Sequence, residues 1–255
     1  MSLVAVVGDT CTTTSVGMAA AWPTDEDCLI AEFDPAGGCL AAWLDVPRSP
    51  GLAEVAASSS PGTWSTIQSM VQHARGGIDV LVSPARPVEA AAVVAAATPS
   101  VLPVLAAVAS PVVIADGGRL RGALSQLVLH ADVVVVGHRQ HPGSAAAAAL
   151  GFERLAELTS QLAVRSIPTI VALIGDRPYG ADDIAVFVEA DAVVTVADDP
   201  WSAAVFAGRA GSARRLRRSP LMRSLGELAG AASANLRQLR SYDGSMSNGT
   251  LERSA

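Results

Sequence analysis

Short β-branched runs alternate along the chain with longer runs rich in Ala and Leu. Seven short runs read as strands: Leu3–Val7, Cys28–Phe33, Ile78–Val82, Val112–Ala115, Ala131–Val136, Thr169–Ile174 and Ala192–Val196. Most are apolar at consecutive positions, as parallel strands covered on both faces are. Helical runs lie between them at Val16–Trp22, Pro87–Ala97, Gly118–Leu129, Ser144–Leu162, Ala181–Glu189 and Trp201–Gly208. This order predicts an α/β fold, a doubly wound, mostly parallel sheet of about seven strands with helices on both faces. Ligands of such sheets bind at the carboxyl ends of strands. The segments leaving Val7 and Phe33 are therefore expected on one functional edge.

A last helix is predicted from Leu221 through Leu225, Leu228, Ala232, Leu236 and Leu239, whose spacings of three and four make one apolar stripe. Residues 1–240 are read as a single domain. The stretch from Ser241 to Ala255, rich in Gly, Ser and Asn, is expected to be a disordered polar tail.

Half of the residues are hydrophobic and only 16% are charged, with few aromatics, so the core is built mainly from Ala, Val and Leu. A net charge of -6 argues against a protein that coats nucleic acid. Three Cys without paired spacing suggest a reducing compartment and no disulfide framework. No basic region precedes the first apolar stretch, so no signal peptide is read. The longest apolar runs seen, Val133–Val136 and Ala145–Leu150, fall short of the ~20 residues of a membrane span. The expected location is the cytoplasm.

The first strand leads into Gly8-Asp9-Thr10-Cys11-Thr12-Thr13-Thr14-Ser15 and then into a helical run. Strand, polar loop and helix form the context of a phosphate loop, G-x-x-x-x-G-K-[ST]. Gly8 and Ser15 occupy its first and last positions. Thr13 stands in place of the second Gly and Thr14 in place of the Lys. All 18 basic residues are Arg, so no Lys elsewhere substitutes. The eight residues Gly8 to Ser15 are the candidate nucleotide contacts; a plain connecting loop is the other reading.

Further residues carry a family resemblance. Leu29 to Phe33, then Asp34-Pro35-Ala36-Gly37-Gly38, Leu40 to Leu44 and Pro50-Gly51-Leu52-Ala53-Glu54 resemble the ParA/MinD-type ATPases. That family has D-x-D-P-x-G-G, a helix and a P-G-L-x-E segment at these places. Val112 to Asp116 is similar to its Walker B strand, and Asp198-Asp199-Pro200 to its late E-D-P segment. The resemblance extends to about residue 240. It implies Mg-ATP as ligand, Asp34 as the residue that positions the attacking water, and Ser15 and Asp116 toward magnesium. The tight-adherence pilus localisation proteins are similar too.

The departures from the family fall at the chemistry. Asp9 stands where the signature Lys reaches a partner's phosphates, Thr14 where the Walker Lys lies, and Glu32 at the first Asp of D-x-D. Two Lys removed and one Asp added shift the local charge by about three units against a triphosphate, where one close pair is worth ~4 kcal/mol. Weak or no nucleotide binding is expected, and hydrolysis is not. The function read from this is positioning or scaffolding, in partitioning, septum placement or pilus and secretion assembly. The alternatives are a weak ATPase that dimerises on nucleotide and an enzyme of the same fold with another ligand. Structural duties compete as well: Asp34 before Pro35 and Asp116 before Gly118 are both placed to cap helices.

Four smaller expectations complete the reading. Cys11 and Cys39 follow strands on the same edge, where a thiol pair is a candidate redox switch. His138 and His141 lack the neighbours of a metal site. Arg209, Arg214, Arg215, Arg217, Arg218 and Arg223 form a basic segment in an acidic chain, a candidate surface for a protein partner, DNA or anionic membrane. A homodimer not driven by ATP is expected to be open to the chain.

Overall fold

The computed structural model describes residues 2–23, 26–60, 62–120, 124–141 and 143–251. Its strands are β1 Leu3–Gly8, β2 Cys28–Glu32, β3 Gln72–Ala74, β4 Ile78–Leu81, β5 Val112–Asp116, β6 Val133–Arg139, β7 Thr169–Ile174 and β8 Ala192–Val196. Its helices begin with α1 Cys11–Ala20, α2 Leu40–Trp43, α3 Leu52–Ala57, α4 Trp64–Ser69, α5 Pro87–Ala107 and α6 Gln126–His130. They continue with α7 Ala145–Ala163, α8 Ala181–Ala185, α9 Pro200–Phe206, α10 Ala213–Arg217 and α11 Pro220–Leu251.

The strands form one sheet in the order β3-β4-β2-β5-β1-β6-β7-β8. Every pairing is parallel except β3 with β4. Consecutive strand residues feed opposite cores. Leu3, Ala5 and Val7 pack with Leu29, Leu102 and Leu162 on one face. Val4 and Val6 pack with Ile30, Met18, Leu225 and Leu228 on the other. A run apolar at every position is what a strand buried on both faces requires. The expected doubly wound sheet is therefore present, with one strand more than expected.

The extra strand β3 is an antiparallel edge of three residues whose middle residue, His73, is exposed. Two helices run past their expected ends. Helix α5 does not stop at Ala97 but runs 21 residues, through Pro99 and Pro103. These prolines lie four apart and are both exposed, so the carbonyls they leave without a donor face water. This corrects the reading that every apolar run is too short for a membrane: α5, with mean hydropathy 1.9, is the one described helix long and apolar enough. Helix α11 continues to Leu251, so Ser241 does not begin a tail as expected; the started helix propagates into the polar segment. Residues 252–255 lie outside the described residues.

Between α5 and α6 the chain also departs from expectation. No helix begins at Gly118; residues 117–120 are irregular, residues 121–123 lie outside the described residues, and α6 spans only Gln126–His130. Helix α8 likewise ends at Ala185 rather than Glu189.

Candidate functional site

Strands β1 and β2 both pair with β5, which brings their carboxyl ends to one edge. There Gly8 N–H donates to Gly118 O at 2.9 Å and Phe33 N–H to Asp116 O at 2.7 Å. A Cβ on Gly118 would lie 2.2 Å from Asp34 Cγ, so the Asp34 loop rests against the segment after β5. The two loops named from the sequence are neighbours.

The first of them differs in form. The expected loop from Gly8 to Ser15 is reduced to Gly8, Asp9 and Thr10, because α1 already begins at Cys11. Gly8 turns at φ 97° and Thr10 at φ 56°. A β-branched residue is strained in that left-handed region, which glycine adopts freely. From there Thr14 N–H donates to Thr10 O at 2.9 Å and the helix proceeds. Thr14 and Ser15 are 1% and 0% exposed, so they do not offer hydroxyls on an open loop. Thr10 and Thr13 do face space. They line both a cavity of about 920 Å³ and one of about 330 Å³.

Asp9 does not point outward as expected for a residue in the signature Lys position. Its carboxylate accepts the Arg139 backbone N–H at 3.0 Å, and the Arg119 guanidinium lies 3.7 Å away. Arg139 in turn holds Asp198 at 2.6 Å, at the wall of the smaller cavity. Arg119 and Arg139 escaped the sequence reading. The available signal was their position directly after β5 and within the end of β6, on the ligand edge.

The carboxylates divide into three roles. Asp34 is half-buried; its Oδ1 accepts Ala36 N–H at 2.7 Å, closing a tight turn. It caps no helix, since α2 starts only at Leu40. Asp116 is fully buried; Oδ1 accepts Gly118 N–H at 3.2 Å, and Oδ2 has no hydrogen-bond partner. Burial holds the Asp116 pKa above the usual range, opposed by the Thr12 hydroxyl, the Gly118 N–H and the Cys11 thiol beside it. It caps no helix either. Ser15 Oγ is likewise buried without a partner. Glu32 pairs in register with Asp116 and serves the backbone. Its Oε1 accepts Cys39 N–H at 2.5 Å and Leu40 N–H at 2.9 Å, and its Oε2 accepts Ser83 N–H at 2.9 Å. Burial raises its pKa to about 7 against these donors.

Cys39 Sγ–H donates to Thr12 Oγ1 at 3.7 Å, which places it beside the Cys11 turn. Burial pushes the Cys39 thiol up to about 11 and the Cys28 thiol to about 12, and raises Cys11 as well. Thiolate, the nucleophile of thiol exchange, is scarce at all three. In the folded protein at pH 8 all three are expected to react slowly with a thiol reagent, and fully once urea unfolds the chain. Fast native labelling of Cys39 would revive the redox reading. Among the described residues no group of three or more His, Cys, Asp or Glu is arranged for a metal ion. His138 packs against Phe152 with the rings tilted by 44° and centroids 5.1 Å apart, and burial lowers its pKa.

The larger cavity is mostly apolar. Phe33, Trp43, Val88, Leu120 and Leu127 line it together with Thr10, Thr12, Thr13 and Asp34. All six arginines of the basic segment are exposed and lie apart from it, on and around α10.

No family model and no curated protein sequence matches the chain. Solved structures do. A ParA family ATPase from Chlorobium tepidum superposes with TM-score 0.65 at 17% identity, over 89% of this chain and 97% of that one. The cell division ATPase MinD of Pyrococcus furiosus gives 0.68 at 12% identity, over 93% and 99%. The chain has the ParA/MinD fold. Cobyrinic acid a,c-diamide synthase from Mycobacterium smegmatis, with bound ADP and magnesium, is also similar, with TM-score 0.57 at 17% identity over 92% and 95%. In this ParA/MinD fold, α1 and the turns after β1, β2 and β5 meet at one edge.

Proposed function

We propose that the chain is a ParA/MinD-like positioning or scaffolding protein whose ancestral nucleotide site does not hydrolyse ATP. The observation that carries this is the state of the cations. Among the described residues Arg119 and Arg139 at this edge face carboxylates, Arg119 at 3.7 Å from Asp9 and Arg139 at 2.6 Å from Asp198. The Lys position is a buried threonine. The orphaned oxygens of Ser15 and Asp116 are of the type that magnesium takes. A magnesium triphosphate nevertheless does not fit the set. Among the described residues, backbone N–H groups and the helix dipole at Cys11, with Arg119 on the cavity wall beside Asp9, are the favourable field left for its phosphates. No lysine stands there to stabilise charge developing in phosphoryl transfer.

Phosphate release from Mg-ATP is therefore expected to match that of an Asp34→Ala control. Sedimentation is expected to be the same with and without Mg-ATP, since no Lys is available to fasten a nucleotide sandwich. Turnover that depends on Asp34, or a nucleotide-driven dimer, would overturn the proposal.

A second reading draws on the larger cavity. Its apolar walls suit a ligand less charged than a nucleotide, as in an enzyme of the same fold. Saturable binding of an apolar dye there, lost in Ala91→Trp, would favour it.

A further inference from the structure

The arginine-rich segment that leads into the first turn of α11 lies outside the site discussed so far and does not depend on that reading. Arg209, Arg214, Arg215, Arg217, Arg218 and Arg223 are all exposed. Among the described residues none of them forms an ion pair with a carboxylate. No acidic residue occurs between Asp199 and Glu227. The patch is locally built. Ser212 Oγ accepts the Arg215 N–H at 3.4 Å and so starts α10. The Arg215 guanidinium lies 4.3 Å over the Trp201 ring, which fixes its plane. Arg214, Arg217 and Arg218 are three and four apart and share one side of the turn. Leu216 faces inward, packed against the core that holds α11.

Three polyanions could meet such a patch, and two fit poorly. A membrane contact that goes beyond surface electrostatics inserts apolar side chains beside the cations. The exposed large hydrophobics are Val88, Leu129, Leu150, Val164, Tyr179, Val186, Phe187 and Tyr242, none of them in this segment. A nucleic acid wants stacking platforms or a long basic track. Trp201 is already covered by Arg215, and away from the patch 24 acidic residues face only 12 arginines. Any long backbone leaving the patch would run into that negative field. A short carboxylate-rich segment touches the patch alone. The planar forks of arginine bind carboxylates in pairs.

We propose that α10 and its flanks dock a short acidic segment of a partner protein, a run of Asp and Glu. The test is fluorescence anisotropy of the full chain with a labelled Asp/Glu peptide. A short DNA duplex and vesicles of phosphatidylglycerol with phosphatidylcholine serve as competing probes. The peptide is expected to bind, to weaken as salt rises, and to bind better than either competitor. Replacing Arg214, Arg215, Arg217 and Arg218 by Ala is expected to weaken it by at least roughly tenfold with an unchanged melting temperature. Should that variant melt early, Arg214→Glu with Arg217→Glu, which removes neither the Trp201 stack nor the Ser212 cap, is expected to abolish binding in a folded chain. Peptide binding that is absent at low salt, or indifferent to these substitutions, overturns the proposal. So does tighter binding of the duplex or the vesicles through the same arginines.

Discussion

Glu32→Ala is expected to lower the melting temperature by roughly 10 °C and to flatten the dependence of stability on pH. The side chain is 1% exposed and is the acceptor for three backbone N–H groups, of Cys39, Leu40 and Ser83. Without it those donors stay buried and unmatched, at about 1–3 kcal/mol each before relaxation. The pH term has a definite sign. The folded pKa of about 7 lies above the ordinary 4.5, so the folded chain holds this proton more tightly than the unfolded one. The contribution is complete below about 4.5 and is lost as pH rises through about 7. Wild type is therefore expected to lose stability across that window, by about 3 kcal/mol from this group, and Glu32→Ala to lack that loss. Glu32→Gln separates charge from contact: its single amide oxygen cannot serve both Oε1 and Oε2 partners, so it should fall between the two. Urea melts of the three proteins at a series of pH values provide the measurement. A Glu32→Ala protein as stable as wild type would show that the three donors find other acceptors.

Glu32 also shows where sequence reading stops. As a substitution it was visible, since it occupies the first acidic position of the family pattern. Its work was not, because its donors come from the turn before α2 and the end of β4, which only the fold brings together. The parallel strands were legible for the opposite reason. Thr169–Ile174 has the predicted bounds because burial on both faces favours a nearly continuous apolar run, and the partly buried edge strand Ala192–Val196 keeps its bounds through β-branched residues. Strand β3 was not, since three residues, Gln72, His73 and Ala74, carry no period. The Gly8 segment was placed on the right edge of the sheet and misread as a shape. Its spacing matched a phosphate loop, but Thr13 stands where such a loop has its second glycine, and the chain winds into α1 early. Asp9 was read as facing a partner; Arg139, 130 residues onward, draws it home.

Gly137→Ala is expected to cost about 3 kcal/mol and to pull the Asp9 turn off β6. A Cβ at Gly137 would stand 2.2 Å from Asp9 O, a distance that side-chain motion cannot relieve because the obstacle is backbone. The backbone there is also pinned. Gly8 is in register with Gly137, and Asp9 N–H donates to Gly137 O at 2.8 Å. Gly8 has the reciprocal constraint, with φ 97° and a hypothetical Cβ 2.3 Å from Gly137 O. Two glycines facing each other thus let β1 and β6 meet where the chain turns into α1. Relief of the clash means separating these ends, and that breaks the Asp9 bond to Arg139 N–H. Arg139 is then free to swing from Asp198, so the wall of the smaller cavity should loosen with the turn. Gly143→Ala is the control: no atom lies within 4 Å of its Cβ position, and its effect should stay within about 0.5 kcal/mol. Thermal melts measure the cost, and amide exchange at Asp9 and Arg139 reads the opening. If Gly137→Ala melts with wild type while exchange at those two amides is unchanged, the close approach of β1 and β6 does not set the shape of this edge.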